Sequence, residues 1–264
     1  MIALQSVSAG YDKTPIIQDI TLDFQPGQVL ALIGPNGSGK STLLKAALRL
    51  LPTMQGEVLY DGVNVEKLKR KEIAQKAALL SQHRSTPSIQ ALRMVLHGRF
   101  PYLSYPRQYA KRDWAIARAA MDATGSRAHE DANVATLSGG QQQGVYLAMT
   151  LTQDTETVFM DEPTTYLDIR RQLQTVQTAR SLAHSGKAVV LVLHDLSLAL
   201  RGADRVAVLY NGRLQCCDTP QAVFESGVLE RVFQVAVHRM ETPQGVQYYS
   251  SLKEESPCPT FHCL

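Results

Sequence analysis

The sequence has no apolar run long enough to cross a bilayer. Its most sustained ones, Val29 to Ile33 and Ala188 to Leu193, fall far short of the roughly 20 residues a membrane span needs. The chain is therefore not expected to span a membrane by itself. The opening MIALQSVSAGYDK pairs no basic segment with a long apolar one, so no export signal is read and the chain is expected to stay in the cytoplasm. Cysteine is scarce: four residues are too few for a disulfide scaffold, and a reducing compartment keeps them as thiols. The adjacent Cys216 and Cys217 suit a buried strand better than a bridge. Cys258, His262 and Cys263 lie in a Pro-containing tail with no second pair to complete a metal site, and are read as part of a disordered tail. An excess of one charge is missing too. Against 24 acidic residues stand 27 Lys and Arg, clustered only at Lys67 to Lys71, where a solvated helix face accounts for them, so no nucleic-acid partner is expected.

What is present suffices for a sizeable core. The 264 residues are 44% hydrophobic, which fits one large or two intimately joined domains, and no internal repeat is visible. Ile20, Leu22 and Phe24 alternate with polar neighbours, and Pro26-Gly27 turns the chain into the apolar run Val29 to Ile33, so two strands are read. A Gly-rich loop follows, then a helix from Lys40 to Leu51, stopped by Pro52. Glu57 to Tyr60 reads as a hairpin arm, and Arg70 to Ala78 as a short helix leading to a strand that ends at Leu80. From His83 to about Thr155 no strand is read, while Asp113 to Thr124 and Gly139 to Leu151 have helical periodicity. Strands resume at Thr157 to Met160, Ala188 to Leu193 and Arg205 to Tyr210, with one more around Val246 to Tyr249. Alternating strands and helices predict an α/β fold with a largely parallel sheet covered on both faces.

Two motifs carry chemistry. Gly34-Pro35-Asn36-Gly37-Ser38-Gly39-Lys40-Ser41 places two glycines five apart before Lys and Ser, between a strand and a helix. Positions without side chains let successive N–H groups turn toward one anion, and the helix N-terminus adds partial positive charge. Lys40 can reach β- and γ-phosphates, and Ser41, followed by Thr42, can ligate Mg²⁺. The second motif is the apolar strand Val158-Phe159-Met160 ending in Asp161-Glu162: Asp161 can hold the metal shell while Glu162 orients or deprotonates water. The loop alone does not separate kinases, GTPases and motor ATPases.

Leu137-Ser138-Gly139-Gly140-Gln141 resembles the signature motif of ABC ATPases, lying between the phosphate loop and the carboxylate strand as in that family. The resemblance implies a P-loop NTPase core of ABC type with a mainly β N-terminal arm and an inserted helical subdomain. It implies ATP and Mg²⁺ as ligands, and a head-to-tail homodimer in which Ser138, Gly139, Gly140 and Gln141 bind the γ-phosphate held by the other protomer. Tyr11 resembles the aromatic that stacks on adenine, and Gln82 the glutamine that links nucleotide site, metal and membrane subunit. Asp168 resembles the dimer-facing aspartate and His194 the histidine near the γ-phosphate. The implied organisation is one ABC ATPase domain over 1–240, with a core of 1–82 and 156–240, a helical part at 83–155, and an extension at 241–264.

One departure stands out. Family members continue the signature with Gln, any residue, Gln, Arg, whereas Gln141-Gln142-Gln143 is followed here by Gly144. A glycine inside a helix costs about 1 kcal/mol relative to Ala and forfeits a cation, so Gly144→Arg is expected to raise ATPase activity. More narrowly, Leu96 to Tyr102 (LHGRFPY) and Asp161 to Asp168 (DEPTTYLD) resemble the subfamily that energises import of iron(III)-siderophores, haem and cobalamin. The first run is expected where members dock the membrane subunit. The resemblance thus implies an ATPase at the cytoplasmic face of the inner membrane, held there by integral-membrane permease subunits and served indirectly by a substrate-binding protein. Ferric siderophore is the first choice of cargo and haem or cobalamin the alternative. A soluble ABC protein without transport, or a small-molecule phosphotransferase, would be the rival classes.

Overall fold

The computed structural model describes residues 1–82, 86–165, 167–243 and 245–253. In chain order, two long strands come first, β1 (Ile2–Tyr11) and β2 (Thr14–Phe24), then β3 (Val29–Ile33) and, past the Gly-rich loop, α1 (Lys40–Ala47). Next come β4 (Thr53–Tyr60), β5 (Val63–Asn64), α2 (Arg70–Lys76) and β6 (Ala77–Leu80). A helical stretch holds α3 (Ala91–Leu96), α4 (Lys111–Ala123) and α5 (Gly139–Thr152). Then β7 (Thr157–Asp161), α6 (Ile169–His184), β8 (Ala188–Val192), α7 (Leu196–Gly202), β9 (Arg205–Tyr210) and β10 (Arg213–Asp218) alternate. The described chain ends with α8 (Pro220–Glu225), α9 (Val228–Phe233) and the hairpin β11 (Val235–Thr242) and β12 (Gly245–Leu252).

The central sheet has the order β10-β9-β3-β8-β7-β6, parallel except for the edge strand β10. Its parallel strands read as nearly continuous apolar runs because both faces are buried. Along β3, Val29, Ala31 and Ile33 enter one core while Leu30 and Leu32 enter the other, which is the period-two alternation of a strand divided between two interiors. The first core is roofed by α3 to α7, α8 and α9. The second lies under α1 and the antiparallel arm β2-β1-β4-β5. Phe24 of the arm meets Phe159 of β7 edge to face, 5.1 Å between centroids, a favoured geometry for aromatic pairs.

Several elements differ from the sequence reading. The helix after the Gly-rich loop ends at Ala47, not Leu51, because Arg49 turns left-handed (φ 52°) and the Leu50 N–H reaches back to the Lys45 carbonyl at 2.8 Å, a common way to satisfy the last carbonyls. Arg205–Tyr210 leads through Asn211-Gly212 into the antiparallel β10, a strand absent from the sequence reading. The strand expected at Val246 to Tyr249 runs from Gly245 to Leu252 and pairs throughout with β11, a strand not foreseen. Cys216 and Cys217 lie on β10, half-buried, with burial pushing both thiols up. Cys258, His262 and Cys263 lie outside the described residues.

Candidate active site

The chemistry-bearing residues sit at the carboxyl ends of the parallel strands, where open α/β sheets place their ligands. Beyond β3, Gly34 lies against β9: a Cβ there would stand 2.1 Å from the Leu209 carbonyl oxygen. Gly39 caps α1 at φ 102°, and its Cβ would come within 2.6 Å of Ile17 Cγ2. Only glycine fits both positions. Asn36 and Gly37 form the exposed tip, while Ser38, Gly39, Lys40 and Thr42 are buried and Ser41 half-buried. The Lys40 ammonium donates to the carbonyls of Gly34 (2.7 Å) and Pro35 (2.9 Å). Burial lowers its pKa, opposed by the nearby charges of Glu162 and Asp161.

Strand register brings the remaining groups together. Leu80 of β6 pairs with Met160 of β7, and Asp161 pairs with Val192 of β8. Gln82, Glu162 and His194 therefore leave neighbouring strand ends at nearly one level. The Gln82 amide donates to one Glu162 oxygen, Thr165 Oγ1 lies 3.4 Å from that same oxygen, and His194 Nε2 lies 2.5 Å from the other. Glu162 itself adopts φ 51°, a left-handed conformation that costs a non-glycine residue of order 1–3 kcal/mol. Asp161 is buried, which raises its pKa, with a hydrogen bond from Ser41 working the other way.

Two buried oxygens in this cluster, Ser38 Oγ and Asp161 Oδ1, have no hydrogen-bond partner among the described residues. Buried polar atoms are ordinarily paired. Beside an amide-lined anion cradle, a hard-oxygen pair from Ser41 and Asp161 fits Mg²⁺, and the cradle fits a polyphosphate.

The signature segment opens α5. Gln141 bonds its side-chain oxygen to the Ser138 N–H at 2.9 Å, so it caps its own helix. Gly139 shares a cleft of about 160 Å³ with Gln82, Gln143 and Glu162. Gln143 also donates to the Pro163 carbonyl at 2.8 Å, a link between signature helix and carboxylate strand that the sequence reading missed. Asp168 caps α6 by accepting from the Arg171 N–H at 2.9 Å. Tyr11 ends β1, with Lys45 Nζ 3.3 Å from its hydroxyl and 5.8 Å from its ring centre.

Residues 17–165 match the family described as "ABC transporter". This chain belongs to the ABC transporter family. Among its relatives, the probable siderophore transport system ATP-binding protein YusV of Bacillus subtilis is 35% identical, over 92% of this chain and 89% of that one. The hemin import ATP-binding protein HmuV of Myxococcus xanthus is 41% identical, over 89% of each. The solved dimeric structure of a bacterial ABC transporter cassette superposes with a TM-score of 0.74 at 26% identity, over 83% of this chain and 99% of that one. The ABC chain is an ATPase, and among its described residues no helix is long and apolar enough to cross a membrane.

The run expected to dock a membrane subunit divides in two in this ABC chain: Arg99 is buried with Gly98, while Phe100 is exposed. A Cβ on Gly98 would stand 2.3 Å from the Met149 carbonyl oxygen of α5. Arg99 Nε bonds Asp113 Oδ1 at 2.9 Å, its Nη1 reaches the Thr152 carbonyl at 3.2 Å, and its guanidinium stacks on Tyr102 at 3.9 Å. These residues hold the helical stretch together, whereas Phe100 and Tyr105 are exposed.

Proposed function

We propose that this chain is the ATPase subunit of an importer for iron(III)-siderophores, acting as a homodimer beneath integral-membrane permease subunits at the cytoplasmic face of the inner membrane. The observation that carries the proposal is the convergence of Gln82, Glu162 and His194 beside the phosphate loop. That group has a use only if water attacks a phosphoryl group held there.

In this reading the loop from Gly34 to Ser41 wraps the β- and γ-phosphates, Lys40 exchanges its two carbonyl partners for phosphate oxygens, and Tyr11 stacks on adenine. Ser41, Asp161 and Gln82 would hold Mg²⁺, which neutralises charge between the phosphates. Glu162 takes a proton from the attacking water, whose oxygen bonds to the γ-phosphorus as the bridge to the β-phosphate breaks, releasing ADP and phosphate. His194 Nε2, carrying its hydrogen, holds the Glu162 carboxylate in line. Residues 1–82 and 156–240 then form the nucleotide core and 83–155 the signature-bearing part, with the extension from 241 tied down through the β11–β12 hairpin.

A homodimer is supported by the exposed apolar residues beside Asp168, Ile169 at 76% and Leu173 at 41%, and by the similarity to a dimeric cassette. ATP would close the pair, because a ligand shifts only an equilibrium whose states it binds unequally. The Leu96 to Tyr102 and Asp161 to Asp168 runs and the siderophore-system relative support the cargo. The hemin relative, at 41% identity, favours haem as a second reading.

The test is to tag the chain in its native host and purify it from membranes. Partners are identified by mass spectrometry, and ATPase activity is compared with and without them. A polytopic permease that stimulates ATPase supports the importer. Soluble partners alone would sink it. Loss of ferric-siderophore uptake with haem uptake intact, in a strain lacking the chain, separates the two cargo readings.

A further inference from the structure

We propose that Arg171 is a positioning residue that stands in for the cation missing from the signature helix at Gly144, and that it ties the first turn of that helix to Asp168. The inference rests on the head-to-tail dimer proposed above. In that dimer Asp168 and the signature turn must be presented together to the other protomer.

Arg171 lies in the first turn of α6 and meets Asp168 through one hydrogen bond and one ion pair. Its backbone N–H donates to Asp168 Oδ1 at 2.9 Å, and its Nε stands 3.7 Å from Asp168 Oδ2. From there the side chain crosses to α5. A Cβ built on Gly140 would stand 2.3 Å from Arg171 Nη1, 2.8 Å from Cζ and 3.2 Å from Cδ. The guanidinium thus occupies the space a side chain at 140 would take, and lies over the turn that carries Ser138 to Gln141.

Gly140 and Gly144 are four residues apart, hence on one face of α5. That face, with Arg171, Asp168 and Gln174, lines a cleft of about 900 Å³ between α5 and α6. The ionisable groups lining the cleft are Arg170, Arg171, His129 and Asp168. A Cβ on Gly144 meets only Ser126 Cβ and the Thr124 carbonyl oxygen, both at 3.5 Å, so an arginine fits there and would bring a second guanidinium into the space Arg171 already serves. A cation over a helix N-terminus is unfavourable alone. Asp168 offsets that cost in one chain, and an anion at the same turn would offset it in the dimer.

The two positions therefore form a cycle in which effects are not additive. The full chain is purified as wild type, Arg171→Ala, Arg171→Lys, Gly144→Arg and Gly144→Arg with Arg171→Ala. ATPase rate is measured against chain concentration, and fluorescent ATP analogue binding is measured on dilute protein. Arg171→Ala is expected to lower the rate about tenfold at fixed chain concentration while analogue binding changes less than about twofold. Arg171→Lys should fall between the two. Because Arg171 already serves that space, Gly144→Arg alone should change the rate less than about twofold, not raise it as the departure from the family pattern alone suggests, yet raise it about fivefold in the Arg171→Ala background. An equal effect of Gly144→Arg in both backgrounds, an Arg171→Ala rate within twofold of wild type, or a loss of analogue binding that Gly144→Arg does not restore would overturn the proposal. A wild-type rate strictly proportional to chain concentration at all dilutions would instead remove the dimer, and this inference with it.

Discussion

His194 Nε2 stands 2.5 Å from Glu162 Oε1, from the end of one parallel strand to the end of its neighbour. With Gln82 on the other carboxylate oxygen, Glu162 is aimed from two sides, which an ordinary acidic turn would not require. A positioned general base contributes about 10²–10⁴-fold to a rate. Glu162→Gln keeps the shape and the bond from Gln82 but cannot take a proton. It is expected to bind ATP as wild type does, to lose at least about 100-fold in turnover, and to accumulate a dimer. Steady-state phosphate release with size exclusion in ATP measures both, and normal turnover would remove Glu162 from the role of base.

Asp161 couples burial to charge in the opposite sense. Its carboxyl is raised by burial, has one oxygen without a partner among the described residues, and sits beside Ser41. A divalent cation would satisfy that oxygen and favour the ionised form. Chelation by EDTA is therefore expected to stop hydrolysis, with recovery on adding Mg²⁺, and Asp161→Asn to raise the Mg²⁺ needed for half-maximal rate by at least about tenfold. An unchanged Mg²⁺ titration for Asp161→Asn would place the metal elsewhere.

The parallel strands were legible because β3, β7 and β8 are buried on both faces and so are mostly apolar, and the phosphate loop because Gly34 and Gly39 answer to close contacts and Gly37 to a left-handed turn. The first strand was not. Register shifts between Leu4 and Gly10, with Ser6 at φ 48°, break the alternation that would have revealed it. β11 was hidden differently: its register with β12 is unbroken, but it mixes polar residues into both faces. The meeting of Gln82, Glu162 and His194 depends on which strands are neighbours. One sequence supplies the residues for that, but not the strand order β8-β7-β6. The Arg99 lock was equally hidden, since its partner Asp113 comes from a separate helix and a lone arginine beside Phe100 reads as surface.

Tyr11 is half-exposed at the end of the first hairpin, its hydroxyl held by Lys45. If its ring carries adenine, stacking and not the hydroxyl matters. Tyr11→Phe is expected to bind ATP within about twofold of wild type, whereas Tyr11→Ala loses roughly 1–3 kcal/mol, the usual worth of a base stacked on an aromatic ring. Titration with ATP and GTP in parallel checks this, and equal affinities for the Phe and Ala variants would deny Tyr11 the stack.

Arg99 and Asp113 form a buried ion pair, their side chains 7% and 10% exposed. Asp113 also caps α4 through Oδ2, accepting from the Ala110 N–H at 2.9 Å, while Arg99 reaches the C-terminal carbonyl of α5. The pair therefore joins three segments of the helical stretch by charge and hydrogen bonds together. Removing one partner strands the other charge away from water, at a cost of about 3–5 kcal/mol. Replacing both with apolar residues removes that penalty, although the lost cap on α4 keeps about 1 kcal/mol of it. Arg99→Met should thus lower the urea midpoint sharply. Arg99→Met with Asp113→Leu should recover most of the loss, which a docking role for Arg99 would not predict. Equal destabilisation of single and double variants would show that the pair is not the source of the effect.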